Sequence, residues 1–176
     1  MGLVHIYCGD GKGKTSAAVG LAVRAAGCGK RVVIARFLKT DNSGEVEILK
    51  KIPEFTLIPC RKTFGFVRSM DEETKRECAA YHRELFGEAV KLAEHADLVV
   101  FDEIMAAVNY GMGPERDVLE FLENRPGRDQ TDGLEIVLTG RDPSEKLIAA
   151  ADYVSEICKR KHPFDRGIMA RRGVEY

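Results

Sequence analysis

Eight residues near the start, Gly9-Asp10-Gly11-Lys12-Gly13-Lys14-Thr15-Ser16, constrain this chain more than any others. Three glycines in five positions let the backbone turn its N–H groups inward around phosphate oxygens. Lys14 adds a mobile positive charge, and Thr15 offers a hydroxyl to Mg2+. The apolar run at residues 3–8 and the alanine-rich stretch Lys14–Ala26 read as the strand and helix that such a loop joins. A simple glycine-rich turn would not need that setting. In the usual pattern a glycine stands five residues before Gly13. Here that position is Cys8, so the loop is a variant that can hold its nucleotide differently.

A chain of 176 residues with 44% hydrophobic content buries one substantial core, so a single domain over residues 1–176 is expected. A net charge of −1 gives no global attraction to nucleic acid or to an anionic membrane. No apolar run approaches the roughly 20 residues of a bilayer span, and the N-terminus lacks a signal-peptide pattern. A cytoplasmic protein with neither nucleic acid nor membrane as partner is therefore expected. The five cysteines are odd in number and never in Cys-x-x-Cys, which argues against a disulfide framework and a zinc site.

The remaining elements follow in order. Residues 31–37 read as a strand buried on both faces, residues 45–51 as a short helix capped by Ser43, and residues 55–58 as a third strand. Ser69-Met70-Asp71-Glu72 reads as a capping box. The helix it opens carries Cys78, Tyr81, Leu85, Ala89 and Leu92 at helical spacing, with His82 and His95 on or near its wet face. Residues 97–103 form a buried strand ending in Asp102 and Glu103, a Walker B pattern whose carboxylates can hold Mg2+; a solvated strand end is the competing reading. Pro114 suits the first turn of a helix reaching Asn124, and residues 134–139 form another buried strand. Asp142-Pro143-Ser144-Glu145 launches a helix with Asp142 as its cap, and residues 153–157 close the sheet. The expected fold is α/β, a P-loop nucleotide-binding fold with a mostly parallel sheet and helices on both faces.

Three features stay open on residues alone. Arg24, late in the first helix, is either a favourable cation at the negative end of the helix dipole or a phosphate contact. Phe64-Gly65-Phe66, in a basic loop, is either a core anchor or an apolar platform at the ligand-binding edge of the sheet. Residues 159–172 gather six lysines and arginines against one acid, Asp165, and read as a solvated basic face.

Taken together, the loop, Arg24, Phe64-Gly65-Phe66, Asp102-Glu103, Thr139-Gly140-Arg141, Asp152-Tyr153-Val154-Ser155-Glu156 and Lys161-His162-Pro163-Phe164-Asp165-Arg166-Gly167 resemble the ATP:corrinoid adenosyltransferases of the CobA/BtuR type over nearly the whole chain. The resemblance implies a homodimeric α/β enzyme that moves the 5′-deoxyadenosyl group of ATP to Co(I) of a corrinoid and releases triphosphate, with a flavoprotein as electron donor. It implies that residues 9–16 and Arg24 hold ATP, in the reverse of the usual P-loop direction, and that Thr15 and Glu103 hold Mg2+. It assigns catalysis to Lys14, Glu103, Phe64 and Phe66, the two rings excluding the lower axial ligand of cobalt. Co(I) is itself a powerful nucleophile, so no activated side chain or general base is required.

The chain departs from that pattern in places. Asp10 stands where asparagine is usual, and Phe66 where close relatives carry tryptophan. The loop at residues 125–133 is longer. The chain starts directly at its first strand where relatives often carry an extension covering the corrinoid site, so closure is expected to come from elsewhere or to be incomplete. The competing function is a P-loop ATPase or small-molecule kinase, with Glu103 orienting water or a hydroxyl at the γ-phosphate and ADP as product. The Asp-x-His-x-x-Gly pattern of a corrinoid carrier is absent.

Overall fold

Parallel neighbours cannot be joined by a tight turn, so each strand here must be followed by a crossover, and the alternating pattern of the chain supplies them. The computed structural model describes residues 2–65, 67–128 and 132–175. The strands are β1 (Val4–Cys8), β2 (Val32–Arg36), β3 (Phe55–Leu57), β4 (Leu98–Asp102), β5 (Glu135–Thr139) and β6 (Tyr153–Glu156). They form one sheet in the order β3-β2-β4-β5-β1-β6, and every neighbouring pair is parallel. The helices are α1 (Lys14–Ala26), α2 (Gly44–Leu49), α3 (Glu72–Ala93), α4 (Ile104–Asn109), α5 (Glu115–Glu123) and α6 (Glu145–Ala150).

Strand side chains alternate between two faces. Val32, Ile34, Leu98, Val100 and Val137 pack against Ala18, Ala22 and Ala26 of α1 and Leu49 of α2. The small residues of α1 let its backbone approach the sheet closely. Val33, Ala35, Val99, Phe101, Ile136 and Leu138 meet Leu85, Phe86 and Ala89 of α3, Ile104 of α4, Leu122 of α5 and Leu147 of α6. Helices therefore cover both faces, and β2 and β4, each flanked by strands on both sides, are buried at all five positions.

Several local expectations are corrected. The carboxylate of Asp71 accepts the Thr74 amide at 2.8 Å and caps α3, so the cap lies two residues beyond Ser69. The hydroxyl of Ser144 accepts the Leu147 amide at 3.3 Å and caps α6; Asp142 instead takes a left-handed φ of 48° in the turn before it. Ser43 stands at the N-cap of α2 without a side-chain capping bond. In each of the first two cases more than one short polar residue competes for the cap, and the turn geometry chooses between them.

His82 is the larger correction. It is 1% exposed rather than on the wet face; His95 is exposed. The buried stripe of α3 runs Cys78, His82, Leu85, Phe86, Ala89 and Ala93, and Tyr81 lies at its half-buried border. The imidazole stays because the chain leaving β2 needs an acceptor: the Leu38 amide donates to His82 Nε2 at 3.2 Å, and Leu38 has a left-handed φ of 52°. A backbone hydrogen bond with Met112 engages the ring as well.

Burial pushes the His82 pKa down from 6.5 to about 4. The unfolded chain therefore binds a proton that the folded one refuses between those values, and stability falls as pH drops through that window. The loss approaches about 3 kcal/mol near the lower limit. His82→Gln keeps an acceptor for Leu38 and removes the titration. Denaturant unfolding from neutral pH down to about 4 should show a smaller loss for the variant than for wild type, by that amount.

Candidate functional site

The chain leaves β1 at Cys8 and enters α1 at Lys14, and the loop between them is pressed against the end of β6. Gly9 has a φ of 103°, and a Cβ there would lie 2.5 Å from the Ile157 carbonyl oxygen. The Gly11 amide donates to that oxygen at 2.7 Å. Both positions are thus closed to larger residues. Cys8, at the position of the missing glycine, is buried and still belongs to β1. Asp10 turns outward, its carboxylate accepting the Lys159 amide at 2.8 Å. That bond holds its pKa below the ordinary carboxylate value, so this acidic residue ties the loop to the segment after β6.

The N-terminus of α1 opens directly from this loop and favours an anion. Lys14 is 7% exposed, and its ammonium donates to the carbonyl oxygens of Gly9 and Gly11 at 2.8 Å each. Burial lowers its pKa, and the Glu103 carboxylate opposes the shift. The positive charge of Arg141 also reaches Lys14, so two cations and the helix terminus converge on the loop.

A second cluster lies at the end of β4. Asp102 is 2% exposed. One carboxylate oxygen, Oδ1, accepts the hydroxyls of Thr15 at 2.9 Å and Thr139 at 2.7 Å; the other forms an ion pair with Lys39, which also donates to Thr15 Oγ1 at 2.8 Å. Because β5 lies between β1 and β4, its last residue, Thr139, bridges the two halves. Its oxygen also accepts the Glu103 amide at 2.9 Å. Glu103 has a left-handed φ of 60° at the start of α4.

A divalent cation fits this donor set. Thr15 and Asp102 offer hard oxygens, and the Lys39 ammonium already stands between them as a cation. Among the described residues no group of three or more His, Cys, Asp or Glu could hold a metal alone. A cation here would depend on Thr15, Asp102 and the phosphates of the nucleotide, the mode that Mg2+ favours.

Beside this cluster opens a cavity of about 450 Å³ bordered by Leu38, Lys39, Lys62, Phe64, Tyr81 and His82. Phe64 is half-buried: it packs on Met70, Cys78 and Met112 while also lining the cavity. Its ring lies 5.7 Å from that of Tyr81 and 5.0 Å from the Lys62 ammonium. Phe64 therefore packs on this small cluster and borders the cavity at once. Phe66 lies outside the described residues. Glu175 closes part of the rim, pairing with Lys12 at 3.1 Å; Arg171 holds its carboxyl down to about 2.

The structure thus brings Gly9, Gly11, Gly13, Lys14, Thr15 and Glu103 to one edge of the sheet, with Phe64 at the adjoining cavity. Ser16 and Arg24 are exposed on α1. Ten residues of helix, about 15 Å at the usual rise, separate Arg24 from Lys14, and its charge reaches Tyr7 instead. The sequence gives no role to Lys39, places His82 on the wet face, and offers Thr139 only within Thr139-Gly140-Arg141, without a partner. Its place as the last residue of an apolar strand beside Gly140 is the signal that points to a strand-end partner.

Comparison with known proteins adds a family. The sequence model of the ATP:corrinoid adenosyltransferases BtuR/CobO/CobP matches residues 1–176. The corrinoid adenosyltransferase of Escherichia coli strain K12 is 34% identical over 178 residues, covering 99% of this chain and 86% of that protein. Corrinoid adenosyltransferase CobA of Salmonella typhimurium is 34% identical with the same two coverages. The Pseudomonas aeruginosa corrinoid adenosyltransferase is 31% identical, covering 99% and 84%.

Thr139 yields a test independent of any ligand. It is fully buried and both donates to Asp102 and accepts from Glu103. Thr139→Val keeps the shape and leaves both groups short of a partner, which should cost about 2 to 4 kcal/mol in chemical denaturation. A Thr139→Ser variant, retaining the hydroxyl, should lose less.

Proposed function

The chain belongs to the ATP:corrinoid adenosyltransferase family BtuR/CobO/CobP, and from that premise we propose how its own residues carry out the ATP-dependent adenosylation of a corrinoid in cobalamin biosynthesis. ATP sits on the loop at residues 9–16. The corrinoid occupies the neighbouring cavity against Phe64. Lys39 is the observation that carries this reading: one side chain borders the cavity and touches Thr15 and Asp102, so a ligand in the cavity lies beside the phosphate loop.

The electron pair of Co(I) forms the cobalt–C5′ bond as the C5′–oxygen bond breaks. The pair of that bond leaves with triphosphate, and cobalt ends as Co(III). The substrate is the nucleophile, so the residues have two tasks: to align C5′ with cobalt and to stabilise charge on the leaving triphosphate. Lys14, Arg141 and the amides opening α1 serve the second. Thr15 and Glu103 would hold Mg2+, with Asp102, bonded to the Thr15 hydroxyl, as a further ligand, and the ion would supply further positive charge to the departing phosphates. Lys14, Glu103, Phe64 and Phe66 remain the residues to which we assign catalysis. The reading extends to a single-domain homodimer in the cytoplasm, with a flavoprotein delivering the electron that turns Co(II) into Co(I). No described helix is long and apolar enough to cross a membrane.

Chemically reduced corrinoid mixed with MgATP and enzyme should develop the adenosylcobalt absorption with stoichiometric triphosphate. ADP without an alkylcobalt product would overturn the assignment in favour of a P-loop ATPase or kinase. If Phe64 keeps the lower ligand away from cobalt, Phe64→Ala should slow the reaction roughly tenfold or more when a mild protein donor must reduce Co(II), and much less when Co(I) is supplied ready-made. Equal losses in the two assays would leave the ring with a packing role alone.

A further inference from the structure

A buried carboxylate without a partner is costly, and a nucleotide enzyme must keep its metal ligand tolerable while no nucleotide is bound. Asp102 is such a group, and Lys39 answers it. The ammonium does more than pair with a charge, because it also donates to Thr15 Oγ1, the other oxygen suited to a divalent cation. It therefore stands where a cation bridging Thr15 and Asp102 would stand.

The backbone around Lys39 is arranged for this. Leu38 takes a left-handed φ of 52°, unfavourable for a leucine and adopted only where the surroundings require it. The His82 imidazole holds its amide, and the Cys60 thiol donates to the Lys39 carbonyl oxygen at 3.0 Å. Arg36 anchors the following turn through the Thr40 carbonyl at 3.0 Å and the Asp41 carboxylate. The side chain itself is held more lightly than this frame: it is 26% exposed and borders the cavity, so it has somewhere to go.

We propose that Lys39 is a placeholder cation, its ammonium occupying the position between Thr15 and Asp102 in the nucleotide-free protein and leaving it for the cavity when a divalent cation arrives with ATP. The proposal rests on the reading of Thr15 and Asp102 as the cation position. The exchange keeps Asp102 neutralised throughout, and it makes the bare protein a poor binder of free divalent metal. Metal enters productively with the nucleotide, whose phosphates supply the ligands that offset the displaced ammonium.

The test uses Mn2+ alone, titrated into nucleotide-free protein with free Mn2+ read by electron paramagnetic resonance. Lys39→Met should bind Mn2+ at least about tenfold more tightly than wild type, because the competing ammonium is gone, and Lys39→Met/Asp102→Asn should lose that gain. Equal affinities for wild type and Lys39→Met overturn the exchange. Should Lys39→Met unfold without metal, recovery of its circular dichroism by Mn2+ supports the proposal. Recovery only through the added Asp102→Asn change, with no response to Mn2+, overturns it. A further arm separates this failure from that of the underlying reading. With ATP present, Asp102→Asn should weaken Mn2+ binding; if it does not, the cation position itself is wrong. None of these measurements involves a corrinoid, so they stand apart from the transfer assay.

Discussion

The carboxylate of Asp102 is the constraint around which this structure is arranged. It ends a strand buried at every position, where a charge is tolerated only if donors surround it. Those donors come from Thr15 at the start of α1, Thr139 at the end of β5 and Lys39 beyond β2. The backbone carbonyl of the same residue accepts the Phe37 amide at 2.9 Å. Four separate stretches are thereby drawn to one point, and that point adjoins the phosphate loop. Satisfying a buried charge and bringing the glycine loop beside the strand-end acids are here one structural event.

Much of the architecture was legible because it rests on local pattern. The helix α1 runs from Lys14 to Ala26, as its composition suggests, and the apolar runs read at residues 3–8, 31–37, 97–103 and 134–139 are strands, trimmed by a residue at one or both ends. What local pattern could not supply was partnership at a distance. Lys39 and Asp102 are 63 residues apart, and no spacing rule links a lysine in a polar loop to a strand-end acid. His82 was misplaced for a related reason: a histidine on a helix is read as wet unless a buried amide elsewhere demands an acceptor, and that amide, Leu38, lies 44 residues away. The caps at Asp71 and Ser144 differed from expectation by only two residues each, since clustered polar residues leave the choice to turn geometry.

The candidate site shows the same division. The glycines and Lys14 form a contiguous motif whose chemistry is explicit in its order. The two adjacent acids, by contrast, differ in role through their backbone. Asp102 still follows the strand and points into the cluster, whereas Glu103 has turned into a left-handed conformation that opens α4. Asp10, unusual as a charge beside phosphate, is explained by an amide at Lys159, again far along the chain.

That last contact belongs to a wider arrangement with a temporal consequence. Strand β1 is hydrogen-bonded to β5 on one side and β6 on the other, and the loop that follows it leans on Ile157. Strand β1 thus has no sheet neighbour until β5 and β6 follow it, with Val4 opposite Ile136 and His5 opposite Tyr153. Ordering of the glycine loop must wait on closures spanning well over a hundred residues, which places this chain among topologies that fold slowly. On a ribosome the glycine loop emerges early and is ordered late, once the strands on either side of β1 have been made.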